Sequence, residues 1–325
     1  ARASALQARA LARMQGGDFD GAQADLEAAI AVLRALDPDH PRLTSVRIDF
    51  ALVLEHRGRI DEGIALRREV LESSLRRAGA ESAEVRNQRA LLGAVLRTSK
   101  RYPEAEIELR EAIRLEQSSA EHAGEHAVSN AMLDLGNLLL ATGRPGEAVA
   151  LLRQRLERML ALGSSAPRYE LTVTRLHLAQ ALLAVGDGPS LAEARRLAST
   201  VAEAEARLAP GEERSPHEVL PAFVLARVDL AEGNLTEARR GFAAALALWQ
   251  QAGRGSSAAA GEARLLLGET LLRLGDRTAA EVELRAAFDL LFRRSGANHP
   301  DTLRAKARLD ELKSGPGQGG TAPRS

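Results

Sequence analysis

The chain holds 325 residues, 45% hydrophobic and 27% charged, with 44 basic residues balanced by 44 acidic ones. This balance argues against a nucleic-acid or acidic-membrane partner, either of which favours a basic excess, and the lack of Cys excludes disulfides, thiolate chemistry and Cys-ligated metals. No apolar run approaches the roughly 18 residues of a membrane span, so a cytoplasmic protein without membrane insertion is expected.

The opening segment, ARASALQARALARM, carries charge throughout and does not read as a signal peptide. It has no initiator Met, so the chain reads as a fragment of something larger or a trimmed piece. Aromatics make up only 3% of the residues, leaving Leu, Ala and Val to fill the core. Only Lys100, Lys306 and Lys313 are lysines; every other basic residue is Arg, a composition typical of a GC-rich bacterial genome.

Along the chain, one pattern recurs. A small residue closes a helix, and a second small residue follows five positions on: Gly17 with Ala22, Gly58 with Gly63, Gly143 with Ala148, Gly233 with Ala238, Gly275 with Ala280. Lys100 takes the glycine position ahead of Ala105, and Gly186 precedes Ala194 with three extra residues between them. The turns at 17, 58, 100, 143, 186, 233 and 275 define seven units, near 3–37, 42–78, 82–118, 125–162, 168–208, 216–252 and 258–294. A last helix is expected over 299–312 as a solvating cap, followed by a disordered tail at 313–325 with no apolar face.

Within each unit the spacing predicts helix, tight turn, helix. The first helix carries Leu or Phe beside a small residue, as in Phe50-Ala51, Leu92-Gly93, Leu135-Gly136, Leu178-Ala179, Leu225-Ala226 and Leu267-Gly268. Unit 1 has Arg9-Ala10 there instead. The second helix follows its small residue with apolar ones four and eight positions on, as in Ala105/Leu109/Ile113 and Ala280/Leu284/Phe288. These offsets lie on one helical face. A small residue at a fixed repeat position lets paired helices approach closely.

This L-[GA]-x2-L-x3-G-x4-A pattern, carried by Leu135, Gly136, Leu139, Gly143, Ala148 and Leu152, resembles that of tetratricopeptide repeat proteins. Their usual repeat is roughly 34 residues. The longer units here are similar to those of kinesin light chains, which carry G-x-x-H-P between repeats. Gly296-Ala-Asn-His299-Pro300 matches that linker well, Asp39-His40-Pro41 matches partly, and Gly124-Glu-His126-Ala-Val128 is a degenerate copy. The resemblance implies an all-α fold, a right-handed α-solenoid of about seven helical hairpins plus a C-terminal capping helix.

Catalytic constellations are missing from the sequence. G-x4-G-K-[ST] does not occur, and the glycines of LDLGNLLLATGRPGEA fit neither it nor G-x-G-x-x-G, so they read as packing and turn positions. No nucleophile motif such as G-x-S-x-G is present. His122 and His126 stand four apart, but Gly124 and the register place them in a connection, so no metal site and no cofactor is expected. His40 and His299 precede Pro at helix starts, where a capping or linker role is expected.

The resemblance implies binding of a peptide or protein segment in a concave groove lined by the first helices. Carrying the family's groove slots over in this register gives Asn87, Asn130, Asp134, Asn137, His177, Gln180, Arg227 and Glu269. Asn130, Asp134 and Asn137 share one helical face, and Asn and Gln can both donate to and accept from a peptide backbone. The other reading of these slots is the wet side of an amphipathic helix. An arginine series, Arg47, Arg89, Arg175 and Arg264, reads either as a ladder for acidic or phosphorylated ligands or as stems lying over neighbouring helices; the second is preferred. A chaperone-tail carboxylate clamp is not supported, because its expected basic slots hold Leu133, Leu176 and Phe223.

Arrays of this kind resemble the C-terminal regions of bacterial serine/threonine protein kinases, which would place a catalytic domain outside this segment. The alternatives are the sensor arm of a bacterial transcription regulator and a free-standing scaffold.

Overall fold

The structure is a computed structural model that describes residues 1–37, 40–118, 130–207 and 220–314. The His122–His126 pair, the whole LAPGEERSPHE connection and residues 315–325 of the expected tail lie outside the described residues.

The described residues form fifteen α-helices and no strand. In chain order these are α1 (Arg2–Gln15), α2 (Phe19–Leu36), α3 (Arg42–His56), α4 (Ile60–Ala78), α5 (Ala83–Thr98), α6 (Tyr102–Ser118), α7 (Asn130–Ala141) and α8 (Pro145–Ala161). They continue with α9 (Arg168–Val185), α10 (Gly188–Ala206), α11 (Leu220–Glu232), α12 (Leu235–Gln251), α13 (Ala258–Arg273), α14 (Arg277–Ser295) and α15 (Pro300–Ser314). Odd-numbered helices are the first helices of the repeats and even-numbered ones the second. The fold is an all-α solenoid type. Lys313 and Ser314, assigned above to the tail, close α15 instead.

The helices fall into two compact units, Ala1–Arg144 and Pro145–Ser325. The division lies at the turn of the fourth repeat and not between repeats. In the first unit, α1 packs on α2 and α3 on α4, and each second helix also packs on the next first helix. Ala10, Ala22, Leu26, Ala29, Leu33 and Val46 form the core at its N-terminal end. In the second unit, α11 to α14 bury Phe223, Phe242 and Trp249 among alanines. The capping helix α15 buries Ala305 and Leu309 against Leu265, Leu284, Ala287 and Leu291.

Local chemistry sets the helix starts. Asp18, Ser82, Asp187, Ser257 and Asp276 each accept a hydrogen bond from the backbone N–H three residues on, satisfying one of the orphan donors of a first turn. The two His-Pro linkers do the same with a ring nitrogen. His40 Nδ1 accepts from the Arg42 N–H at 3.1 Å, and His299 Nδ1 accepts from the Asp301 N–H at 3.3 Å. Proline at the helix start has no N–H to leave unsatisfied, so the His-Pro pair is a compact helix-initiating device.

The small residues of the repeat are filled space. A Cβ on Gly93 would sit 2.6 Å from Leu109 Cγ, and one on Gly268 would sit 2.6 Å from Leu284 Cγ. The leucine four positions beyond the second-helix small residue therefore presses directly on the first-helix backbone. In the sixth repeat the first helix carries Ala226, and the room comes from the other side: a Cβ on Gly241 would meet Ala226 Cβ at 2.7 Å.

Unit 1 replaces the missing leucine with charge. Arg9 donates to Asp25 through Nε at 2.8 Å, and Arg13 Nη1 reaches the same carboxylate at 2.8 Å. Asp25 itself is only 3% exposed. The hydrogen bond from Arg9, helped by Arg13, holds its carboxyl below the usual carboxylate range against the opposing effect of burial.

Candidate functional site

In the first unit the groove slots lie on α5 and α7. Asn87 and Asn130 are exposed, while Asp134 and Asn137 are half-buried. The side-chain amides of Asn87 and Asn137 have no hydrogen-bond partner among the described residues. Asp134 differs: its carboxylate accepts from Arg97 Nε at 3.0 Å, which links α5 to α7. The same face carries unusually exposed leucines. Leu52 is 38% and Leu91 42% exposed, and both stand in groove slots; Leu11, two positions after Arg9, is 40% exposed. Asp49 takes a hydrogen bond from Gln7 Nε2 at 2.7 Å, yet burial pushes its carboxyl above the ordinary range.

In the second unit the slots lie on α9, α11 and α13. His177 Nδ1 donates to the Val173 carbonyl of its own helix at 2.8 Å, and Gln180 is half-buried with no hydrogen-bond partner among the described residues. The Arg227 guanidinium lies over the Phe223 ring, 5.7 Å from its centroid, and 3.5 Å from Glu262. Burial raises the Glu262 carboxyl above its usual range, with Arg227 opposing. Glu269 is buried, 8% exposed, and accepts from Arg304 Nε at 2.7 Å and Arg308 Nε at 3.1 Å.

Arg227 and Glu269 meet in one cleft of about 900 Å³. Leu183 of α9, Leu230 of α11, and Leu266 and Leu272 of α13 supply apolar wall, and Arg273, Arg304 and Arg308 add guanidinium groups. The last three were not among the slots carried over from the sequence. A signal for two of them was present. Leu309 follows Pro300 by the same nine residues that separate Phe50 from Pro41. Arg304 and Arg308 therefore stand five and one before the register leucine, the slots held by Asn130 and Asp134 in the fourth repeat. Calling α15 a cap hid the fact that it is also a first helix.

The same register reveals a recurrent link. The residue two after the register leucine reaches the residue five before the next one: Arg227 to Glu262, and Glu269 to Arg304, with the signs reversed. Part of the first-helix face thus ties neighbouring first helices together.

The arginine series also has a definite place. Arg89 Nη1 donates to Glu108 at 2.6 Å and Arg264 Nη1 to Glu283 at 2.7 Å, each from a first helix to the second helix of its own hairpin. Arg175 has no such glutamate among the described residues; burial and neighbouring Arg196 lower its pKa. The series is no continuous ladder for an acidic ligand.

Among the described residues no group of three or more His, Asp or Glu side chains is placed to hold a metal ion, and no helix is long and apolar enough to cross a membrane.

No protein-family model matches the sequence, and no curated protein does either. Solved structures do match. A tetratricopeptide repeat protein from Parabacteroides merdae ATCC 43184 is similar over 96% of this chain and 99% of its own, at 12% identity and a TM-score of 0.64. The apo form of the quorum sensor NprR from B. thuringiensis is similar over 88% of this chain and 75% of its own, at 15% identity and a TM-score of 0.63. A Podosopora anserina putative kinesin light chain with nearly identical TPR-like repeats covers 63% of this chain and 95% of its own, at 20% identity and a TM-score of 0.55. The chain has the fold of tetratricopeptide repeat proteins.

Proposed function

We propose that this chain is a non-catalytic protein-interaction module that binds a peptide or protein segment on the face built by its first helices. One observation carries the reading. At repeated slots of that face, polar amides with no hydrogen-bond partner among the described residues (Asn87, Asn137) stand beside half-exposed leucines (Leu52, Leu91). Amides can satisfy a peptide backbone whatever its sequence, and leucines can bury its side chains. A purely solvated helix face has no use for the leucines. Of the groove residues, Asn87, Asn130, Asn137, Gln180 and Arg227 are assigned to ligand contact, with His177 beside them. Asp134 and Glu269 brace neighbouring first helices.

The module acts in the cytoplasm as part of a bacterial serine/threonine protein kinase, where it recruits substrates or senses a partner. The His-Pro-linked repeats support that reading. A second reading, the sensor arm of a bacterial transcription regulator, is favoured by the likeness to a quorum sensor. The reading frame around this segment separates the two. A Gly-rich loop with H-R-D and D-F-G motifs selects the kinase, and a DNA-binding helix-turn-helix selects the regulator.

Binding is tested with Asn137→Ala combined with Arg227→Glu. Capture of a partner peptide should fall about tenfold or more, with helicity by circular dichroism unchanged. Undiminished capture by a folded variant removes the groove assignment, and phosphotransfer by this segment alone removes the non-catalytic one.

A further inference from the structure

We infer that the cleft of the second unit selects a peptide segment bearing a single carboxylate beside apolar side chains, and that Arg273 holds that carboxylate. The inference rests on the peptide-binding reading and adds the class of ligand.

The charges within the cleft do not all pair. Four guanidinium groups line it: Arg227, Arg273, Arg304 and Arg308. Three already have acidic partners. Arg304 and Arg308 share Glu269, Arg308 also reaches Glu311 at 3.0 Å, and Arg227 lies beside Glu262. Glu232, also on the cleft wall, is taken by Arg195 at 2.7 Å. Arg273 remains. Its only hydrogen bond among the described residues runs from Nη1 to the Leu230 carbonyl at 3.3 Å, and it has no counter-ion there. A guanidinium fork is shaped for bidentate capture of a carboxylate, and an uncharged acceptor would leave its charge unmatched.

The count also sets an upper limit. The Arg304–Arg308 pair is the other carboxylate receptor in the cleft, and it is self-occupied by the buried Glu269. A second ligand carboxylate would have to displace an internal one while facing Glu311 on the same wall. The cleft accordingly favours one acid over a run of acids. Leu183, Leu230, Leu266 and Leu272 take the apolar neighbours of that acid.

The test begins with selection of a random dodecapeptide phage library on the full chain. The selected consensus is then synthesised with its acidic residue kept or changed to Gln, and affinities are measured at low and high salt. The acid-to-Gln change should cost about tenfold. The loss should vanish in Arg273→Gln, which leaves binding of the Gln peptide unchanged. In Glu269→Gln, a peptide with two adjacent acids should gain severalfold over wild type. Peptides that bind with no acid preference, or a preference that survives Arg273→Gln, overturn this inference and leave the groove reading standing. A chain that selects no peptide, while a known peptide-binding control does, overturns both.

Discussion

Lys100 has a φ of +61° and is the one non-glycine residue with positive φ among the described residues. Its slot in the repeat is filled by Gly17, Gly58, Gly143, Gly233 and Gly275, all with φ near +80°. A side chain in this left-handed region costs about 1–2 kcal/mol. Glycine removes that strain but loses more backbone freedom on folding, an offset of about 0.5–1 kcal/mol. Lys100→Gly should therefore stabilise the chain by about 0.5–1 kcal/mol, read as a higher urea midpoint with an unchanged slope. A lower midpoint would mean that the lysine side chain makes a contact outweighing the strain.

The same scale shows what single residues conceal in a sequence. His40 and His299 were legible as helix-initiating residues, because an acceptor placed before Pro at a helix start has a local job. Glu269 was not legible as a buried anchor. A charge on an amphipathic helix reads as the wet face, and its partners Arg304 and Arg308 lie 35 and 39 residues away. Arg155 is the same case. It is fully buried, and its Nη2 donates to Glu170 at 2.6 Å across the α8–α9 contact. Periodicity locates faces, but it does not say which charges pair across them.

At the scale of elements, helix pairs are set by the contact between a small slot and a leucine. Gly268 is the sharpest example, with Leu284 pressed on its backbone. Gly268→Ala gains about 1 kcal/mol of helix propensity but forces the two helices apart, an overpacking cost of roughly 1–3 kcal/mol. A net loss of up to about 2 kcal/mol is expected in denaturant unfolding. Net stabilisation would show that α13 and α14 can yield, and that close approach is not why the slot is small. The recurrence of Gly or Ala at this slot made the hairpins readable before any coordinates. By contrast, the double identity of α15 as cap and first helix was hidden, because it has no second helix after it to complete the repeat pattern.

For the molecule as a whole, architecture was legible because it is repeated seven times, and each copy corrects errors in the others. The ligand was less legible because the proposed contacts stand where the copies differ. Asn137, Gln180, Arg227 and Glu269 occupy one slot, yet they comprise two amides with no partner among the described residues, an arginine beside Glu262 and a buried carboxylate clamped by two arginines. Only side-chain geometry separates ligand-facing members of that slot from those that brace neighbouring helices. The zero net charge fits this division, since many arginines, Arg89, Arg264 and Arg304 among them, are matched by nearby acids.

Ligands are proposed to occupy the first-helix face. Hydroxyl-radical footprinting of the chain with and without a selected peptide tests this placement most directly, because reactive side chains stand on both faces. Leu52 and Leu91 are 38% and 42% exposed on first helices, whereas Ile107 and Val282 are 66% and 64% exposed on second helices. The peptide should shield Leu52 and Leu91, or Leu230 and Leu272 in the second-unit cleft, and leave Ile107 and Val282 as reactive as before. Shielding of Ile107 or Val282, with all four first-helix leucines unchanged, would contradict this placement.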